Sequence, residues 1–135
     1  MKKILVGFDG SEGAENALNK AMSLMDEDGE LILLAVVPKP GDKSVVDSDV
    51  YTLLKQKARH IIDSVISDIG EHEYLITGMV EEGDVAATII DIANNLNCNL
   101  IVLGSRGTSQ IGTYPIGSVA DKVAHYAHKP VMVVR

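Results

Sequence analysis

The stretch over residues 100–118 reads LIVLGSRGTSQIGTYPIGS, and it decides how the rest of the chain is interpreted. An apolar run over residues 100–103 predicts a buried strand, and the amphipathic run after the glycines predicts a helix. Between them lies a glycine frame formed by Gly104, Gly107 and Gly117. Glycine lets backbone N–H groups approach an anion without an intervening Cβ, and the first turn of a helix adds unpaired donors and the positive end of its dipole. This order of elements indicates a phosphate-binding site, with ATP as the expected ligand.

The same alternation of strand and helix runs through the whole chain. Five short apolar runs predict strands at residues 4–8, 31–37, 74–80, 100–103 and 131–134. Apolar residues at helical spacing predict four helices, between Ser11 and Gly29, from Val50 to Ile69, from Asp84 to Leu96 and from Ser118 to Tyr126. This alternation predicts an α/β protein with a single doubly wound sheet of five parallel strands, in the order 3-2-1-4-5, with the four helices on both faces.

A doubly wound sheet binds ligands outside the carboxyl ends of its strands, at the point where the strand order reverses. In the predicted order this switch point lies between the first and the fourth strand. The two segments that follow those strands are the loop Phe8–Ser11 and the glycine frame. We therefore expect these two segments to meet in space.

Length and charge limit the classes of protein that fit. A chain of 135 residues predicts one domain over residues 1–135. The formal net charge of −7 disfavours general binding to nucleic acids or to anionic membranes. The single cysteine, Cys98, excludes an intrachain disulfide and fits a reducing compartment. The sequence shows neither a signal-peptide pattern nor an apolar run long enough to span a membrane, so a cytoplasmic location is expected.

Two other phosphate-binding motifs do not match. A P-loop requires Gly-x4-Gly-Lys-Ser/Thr, whereas Lys43–Ser44, the only Lys-Ser pair, is preceded by an aspartate. The dinucleotide fingerprint requires Gly-x-Gly-x-x-Gly after the first strand, whereas Gly7, Gly10 and Gly13 fall at every third residue. An ordinary NAD site is therefore disfavoured.

The chain resembles the universal stress protein family, and its ATP-binding, UspA-like branch in particular. That branch carries Gly-x2-Gly-x9-Gly-Ser/Thr, which Gly104, Gly107, Gly117 and Ser118 match in full. The opening sequence KILVGFDGS resembles the first strand of the family and its aspartate, and residues 118–135 resemble its last helix and strand. The resemblance covers the whole chain. It implies a Rossmann-like fold of the HUP type and a nucleotide-binding role in stress response or regulation.

The resemblance also implies which residues contact the nucleotide. At the end of the first strand, Asp9 matches an aspartate that lies beside the ribose and the adenine pocket. In the second strand, Val36 matches a position whose backbone contacts the adenine. The first two motif glycines match positions near the ribose and phosphates, and the start of the last helix matches a phosphate cradle. The positively charged Arg106 lies between those two glycines and is a further candidate. The candidate residues are Gly7, Phe8, Asp9, Val36, Gly104, Arg106, Gly107, Gly117, Ser118 and Val119.

Several of these residues also have a simpler interpretation that needs no ligand. Asp9 precedes Gly10 and can form a turn. Ser118, with Asp121 three residues later, predicts a capping box at the start of the last helix. Gly104 can serve a tight turn after a strand.

Three functions remain open from the sequence. The first is an ATP-binding regulatory protein, with Mg²⁺ bridging the phosphates. The second is an adenylating or slowly ATP-hydrolysing enzyme on a related fold, although no catalytic residue can be named. The third is a nucleotide-free scaffold, which the intact motif disfavours. The histidines lack metal-ligand spacing, so no protein metal site is expected.

The last strand predicts a partner. Residues 131–134 form an apolar strand at a predicted edge of the sheet. Such an edge presents unpaired backbone groups to another strand. We expect a symmetric homodimer formed by antiparallel pairing of Val131 to Val134 with the same strand of a second copy, and the resemblance implies the same.

Overall fold

The computed structural model describes residues 1–38, 48–105, 109, 111 and 116–135. Within these ranges strands and helices alternate along the chain. The strands are β1 (Lys3–Gly7), β2 (Glu30–Val37), β3 (Leu75–Glu82), β4 (Leu100–Gly104) and β5 (Val131–Val134). The helices are α1 (Glu12–Leu24), α2 (Ser48–Ile69), α3 (Val85–Asn95) and α4 (Ile116–Tyr126). In the part of the chain described, no helix combines the length and the apolar character that crossing a bilayer requires.

The strands form one parallel sheet in the order β3-β2-β1-β4-β5, which confirms the predicted topology. β1 is central, and its Leu5 lies opposite Ile32 of β2 and Ile101 of β4. The chain proceeds from β1 to β2 on one side, and β4 lies on the other side. The topological switch point is therefore between β1 and β4, as expected.

Helices cover both faces of the sheet, so each strand supplies side chains to two cores. In β1, Ile4 and Val6 lie in the core beneath α1 and α2, whereas Leu5 lies in the core beneath α3 and α4. β2 is buried on both faces from Leu31 to Val37, which explains its unbroken apolar sequence. The two cores fix the strand ends that carry the candidate site.

Two helix starts follow the capping signals seen in the sequence. The Ser11 side chain accepts a hydrogen bond from the N–H of Ala14 at 3.1 Å and caps α1. The Asp84 side chain accepts one from the N–H of Ala87 at 3.0 Å and caps α3. Both predicted caps are confirmed.

The start of the last helix differs from the prediction. α4 begins at Ile116, so Ser118 lies inside its first turn. The predicted role of Ser118 as N-cap, with Asp121 as its capping-box partner, is therefore wrong. The sequence places a proline at position 115, and proline is favoured at helix starts. That earlier signal was overlooked because serine is itself a strong cap residue.

Several strand boundaries also shift by one or two residues. β1 ends one residue earlier than predicted, although the N–H of Phe8 still donates to the carbonyl of Leu34 at 2.8 Å. β3 starts at Leu75 and continues through Glu81 and Glu82, which lie opposite residues 36 and 37 of β2. Charged residues are tolerated there because β3 is an edge strand.

Candidate functional site

A cleft opens at the carboxyl edge of the sheet, at the switch point. It lies between the ends of β1, β2 and β4 and the beginnings of α3 and α4. Six of the residues singled out in the sequence line it: Gly7, Phe8, Asp9, Val36, Gly104 and Val119. The loop after β1 and the first glycine of the frame, Gly104 at the end of β4, thus line one cleft, as the topology predicted.

The loop after β1 is a compact turn held by its own side chains. Oδ1 of Asp9 accepts a hydrogen bond from the N–H of Ser11 at 3.0 Å. Between them Gly10 has a φ of 83°, a left-handed conformation that favours glycine. Asp9 is only 8% exposed and lines the cleft, and its carboxylate holds the turn. Asp9 therefore has the turn-forming role that was its simpler interpretation, and it also lines the cleft.

Gly104 marks a close approach between β4 and the start of α1. A Cβ placed on Gly104 would lie 2.4 Å from the carbonyl carbon and oxygen of Gly13. No side chain can be accommodated against backbone at that distance. The first glycine of the motif is therefore required by packing, independently of any ligand.

A second pocket adjoins the cleft on its outer side. It has a volume of about 360 Å³ and lies between the N-terminal turns of α3 and α4. Asp84, Ser118 and Lys122 line it with a carboxylate, a hydroxyl and an ammonium group. Val85 and Val119 line both this outer pocket and the cleft, so they separate the two spaces. The apolar cleft and the more polar outer pocket are thus neighbours.

The cleft itself is small. It encloses about 30 Å³, room for about two water molecules. Ligand sites for molecules of drug size enclose about 300–1,000 Å³. A purine could enter the cleft only if its lining side chains moved apart, whereas the outer pocket already falls within the usual range of volumes.

The remaining candidates are placed differently. Gly117 lies in the first turn of α4 and lines neither of these two spaces. A Cβ on Gly117 would lie 3.3 Å from the carbonyl oxygen of Ser105, so this turn packs closely on the end of β4. Arg106 and Gly107 lie outside the described residues.

Other cleft residues were not identified from the sequence. They are apolar and lie near strand ends or in the first two turns of helices: Ala14, Leu34, Val85, Ile89, Leu103 and Ala120. Their periodicity had marked several of them only as core residues. Their position at the carboxyl edge of a doubly wound sheet is the signal that could have found them.

An anchor in the segment after β4 was also missed. Ile111 is fully buried in the core beneath α1 and α2. Its N–H donates to Oγ of Ser109 at 3.0 Å, and Ser109 is itself buried. An isolated isoleucine in a polar glycine-rich stretch was the available signal. Ile111 therefore packs into this core without any ligand.

The described side chains meet the needs of neither a metal site nor a reactive thiol. Within the described ranges, no three or more His, Cys, Asp or Glu side chains are grouped so that they could hold a metal ion. Cys98 is buried, and burial raises the pKa of its thiol, which keeps the group protonated and unreactive. The arrangement at the switch point combines an apolar wall with polar groups beside it.

Comparison with known proteins identifies related chains. The model of the universal stress protein family matches residues 1–135. Universal stress protein YxiE of Bacillus subtilis is 30% identical over 98% of each chain. The solved structure of MJ0577 from Methanocaldococcus jannaschii has a TM-score of 0.84 at 28% identity, covering 98% of this chain and 94% of that one. A family protein from Arabidopsis thaliana, solved with AMP bound, has a TM-score of 0.71 and covers 99% and 91% of the two chains, but at 16% identity the likeness shows the fold alone.

Proposed function

The chain belongs to the universal stress protein family, and on that premise we propose that it is a regulatory protein of the ATP-binding branch, with residues 1–135 as one nucleotide-binding domain. The observation that carries the proposal is the convergence at the switch point. The loop after β1, the end of β2 and the start of α4 surround one cleft with a polar pocket beside it. The complete glycine motif supports ATP over a ligand without phosphates.

The two spaces suggest how the ligand is divided between them. The adenine and ribose contact the wall formed by Asp9 and Val36, and the phosphates lie along the first turn of α4. The amides of a helix's first turn and its dipole favour an anion there. Gly117, Ser118 and Val119 form the cradle for the phosphates. Gly104, Arg106 and Gly107, which precede α4 in the sequence, are the further contacts in this proposal. Mg²⁺ offsets the phosphate charge when it accompanies ATP.

We place binding ahead of catalysis as the role of this site. A bound nucleotide alters a protein's behaviour when it favours one conformation or one partner state over another. An adenylating or slowly hydrolysing enzyme is the first alternative, and a nucleotide-free scaffold is the second. The acting form in this proposal is a homodimer paired through β5, whose Val133 is exposed at the sheet edge.

Isothermal titration calorimetry of nucleotide-free protein with ATP, followed by product analysis, tests the proposal. We expect saturable binding at one site per chain, with AMP weaker because it makes fewer phosphate contacts. Absence of binding would reject the proposal in favour of the scaffold. Release of ADP or AMP that rises with protein concentration and exceeds the uncatalysed rate of ATP hydrolysis would favour the enzyme, including a slow one.

Variants locate the site. Val119→Phe places a larger side chain between the cleft and the outer pocket and should weaken ATP binding tenfold or more. Val50→Phe is the matched control, because Val50 is exposed on α2 at the far side of the sheet. Asp9→Asn keeps the acceptor for the Ser11 N–H and changes only the charge, so a loss of affinity there reports on the ligand and not on the turn. Equal affinities for both phenylalanine variants would contradict the assigned position.

A further inference from the structure

The face of the sheet covered by α1 and α2 carries a groove that shares Phe8 with the cleft but opens on the opposite face. α1 packs on β1, β4 and β5, and α2 packs on β2 and β3. Because the two helices rest on different strands, a trough remains between them. Its volume is about 590 Å³, which is well within the range of ligand sites.

The floor of the groove is apolar and comes from both helices. Leu18 and Met22 of α1 face Val65 and Ile69 of α2, and Phe8 closes the floor beneath them. Leu18 and Phe8 are buried, whereas the other three are half-buried and thus present apolar surface to the groove. From residue 15 to residue 22 the wall formed by α1 extends about 10 Å, which is two helical turns. The shape is an open trough that suits an elongated apolar ligand.

The rim of the groove is acidic. Glu15 on one wall and Asp68 and Glu71 on the other line it, and all three are exposed. Within the described part of the chain, none of the three takes part in an ion pair with a cationic side chain. The other titratable side chains that line it are His72 and Tyr74, whose rings stack with centroids 5.1 Å apart. Lysine and arginine are absent from this described lining, so the rim presents unneutralised negative charge.

The negative charge of the rim favours a positively charged ligand in the groove. A second copy of the chain, with a net charge of −7, would bring like charge to an acidic rim. An amphipathic helix that carries lysine or arginine on both sides of an apolar stripe matches the floor and the rim together, which is the helix-in-groove mode of recognition. We propose that the α1–α2 groove binds a cationic amphipathic helix of a partner protein. This inference does not depend on nucleotide binding.

A synthetic peptide tests the groove directly. The probe is a fluorescein-labelled helix of about 18 residues, roughly five turns, with leucine at i, i+3, i+4 and i+7 and lysine beside the stripe. Fluorescence anisotropy should show saturable binding that weakens at least fivefold between about 50 mM and about 300 mM salt, because screening reduces the attraction at the rim. A peptide with glutamate in place of lysine should not bind, and a lysine peptide without leucines should bind at least tenfold more weakly.

Paired variants assign the peptide to this groove. Glu15→Gln with Asp68→Asn removes two rim charges from opposite walls and should weaken the leucine–lysine peptide about fivefold. Asp91→Asn with Asp121→Asn removes the same charge from exposed positions on α3 and α4 and should change affinity less than twofold. Three results would each overturn the proposal. They are an equal loss of peptide affinity in the two variant pairs, equal binding of the peptides with and without leucine, and no binding of the leucine–lysine peptide. Urea unfolding of both pairs verifies that the fold is intact.

Discussion

At the scale of single residues, packing and the candidate site constrain the same positions. Gly104 has no room for a Cβ against Gly13, and it also lines the cleft. Asp9 closes a turn and also lines the cleft. A substitution that adds a side chain at Gly104 or removes the turn acceptor of Asp9 therefore changes folding and binding together, so stability must be measured before a loss of affinity is interpreted.

Gly104→Ala should be strongly destabilising. The added methyl group meets backbone atoms of Gly13 at 2.4 Å, and overpacking of this kind costs about 1–3 kcal/mol. Gly117→Ala is the matched control, because its methyl group meets the carbonyl oxygen of Ser105 at 3.3 Å and alanine is favoured over glycine inside a helix. Urea unfolding measures both. If Gly104→Ala were as stable as the wild type, the close approach of β4 to α1 would be wrong.

The hydroxyl of Tyr51 is buried beside the carboxylate of Glu82, without a well-formed hydrogen bond to any described residue. Burial, and then the neighbouring carboxylate of Glu82, raise the pKa of Tyr51 to about 12. Lys55 lies beside both groups, with its Nζ 5.0 Å from the Tyr51 ring centroid and 3.5 Å from Oε2 of Glu82. A buried hydroxyl without a well-formed hydrogen bond lowers the stability of the folded state.

Tyr51→Phe should therefore be as stable as the wild type at pH 7, or more stable by about 1 kcal/mol. Above pH 10 the unfolded tyrosine ionises while the folded one stays protonated to about pH 12, so the wild type loses stability as pH rises through this window. The variant should lose less. Urea unfolding at pH 7 and pH 11 measures both effects. A destabilised variant at pH 7 would mean that the hydroxyl has a partner.

At the scale of elements, the two edges of the sheet differ in what they expose. β3 carries the exposed Leu75 together with Glu81 and Glu82, whereas β5 is entirely apolar and exposes Val133. Charged residues on an edge strand hinder pairing with another chain. The edge formed by β5 is therefore the better candidate for the proposed homodimer.

Val133→Lys should convert the dimer into a monomer, because it places a charge in the middle of the proposed pairing strand. Leu75→Lys makes the same change on the opposite edge, where Leu75 is 62% exposed, and should leave the dimer intact. Sedimentation velocity at several protein concentrations distinguishes the two species. Dissociation by Leu75→Lys alone would move the interface to β3, and an unchanged mass for both variants would exclude both edges.

The elements also show what sequence patterns can and cannot predict. Apolar runs and the caps at Ser11 and Asp84 predicted the nine elements of the described ranges and their order, because strand burial and helix capping are local signals. The start of α4 was predicted at Ser118 instead of Ile116. The sequence offers two competing signals for a helix start within four residues, a proline at position 115 and the serine at position 118. The cleft walls at Val85 and Ile89 were not singled out, because an apolar residue at a strand or helix end has the same sequence signature in a core and in a site.

At the scale of the whole molecule, one residue connects the two faces of the sheet. Phe8 is 3% exposed and lines both the cleft at the switch point and the groove between α1 and α2. The cleft encloses about 30 Å³, so a purine that enters it must displace lining side chains. Movement of the Phe8 ring away from the cleft would carry it toward the floor of the groove. If both proposals hold, the two ligands therefore compete for the position of one side chain.

We expect ATP and the leucine–lysine peptide to weaken each other's binding. Thermodynamic linkage requires the two effects to be the same factor, and couplings of about 1–3 kcal/mol are common. Calorimetric titration of the peptide into protein with and without saturating ATP measures the factor, which should be about fivefold or more. Phe8→Leu keeps an apolar side chain but removes the ring, so it should bring the factor closer to one. Peptide binding that is unaffected by bound ATP would show that the two faces act independently.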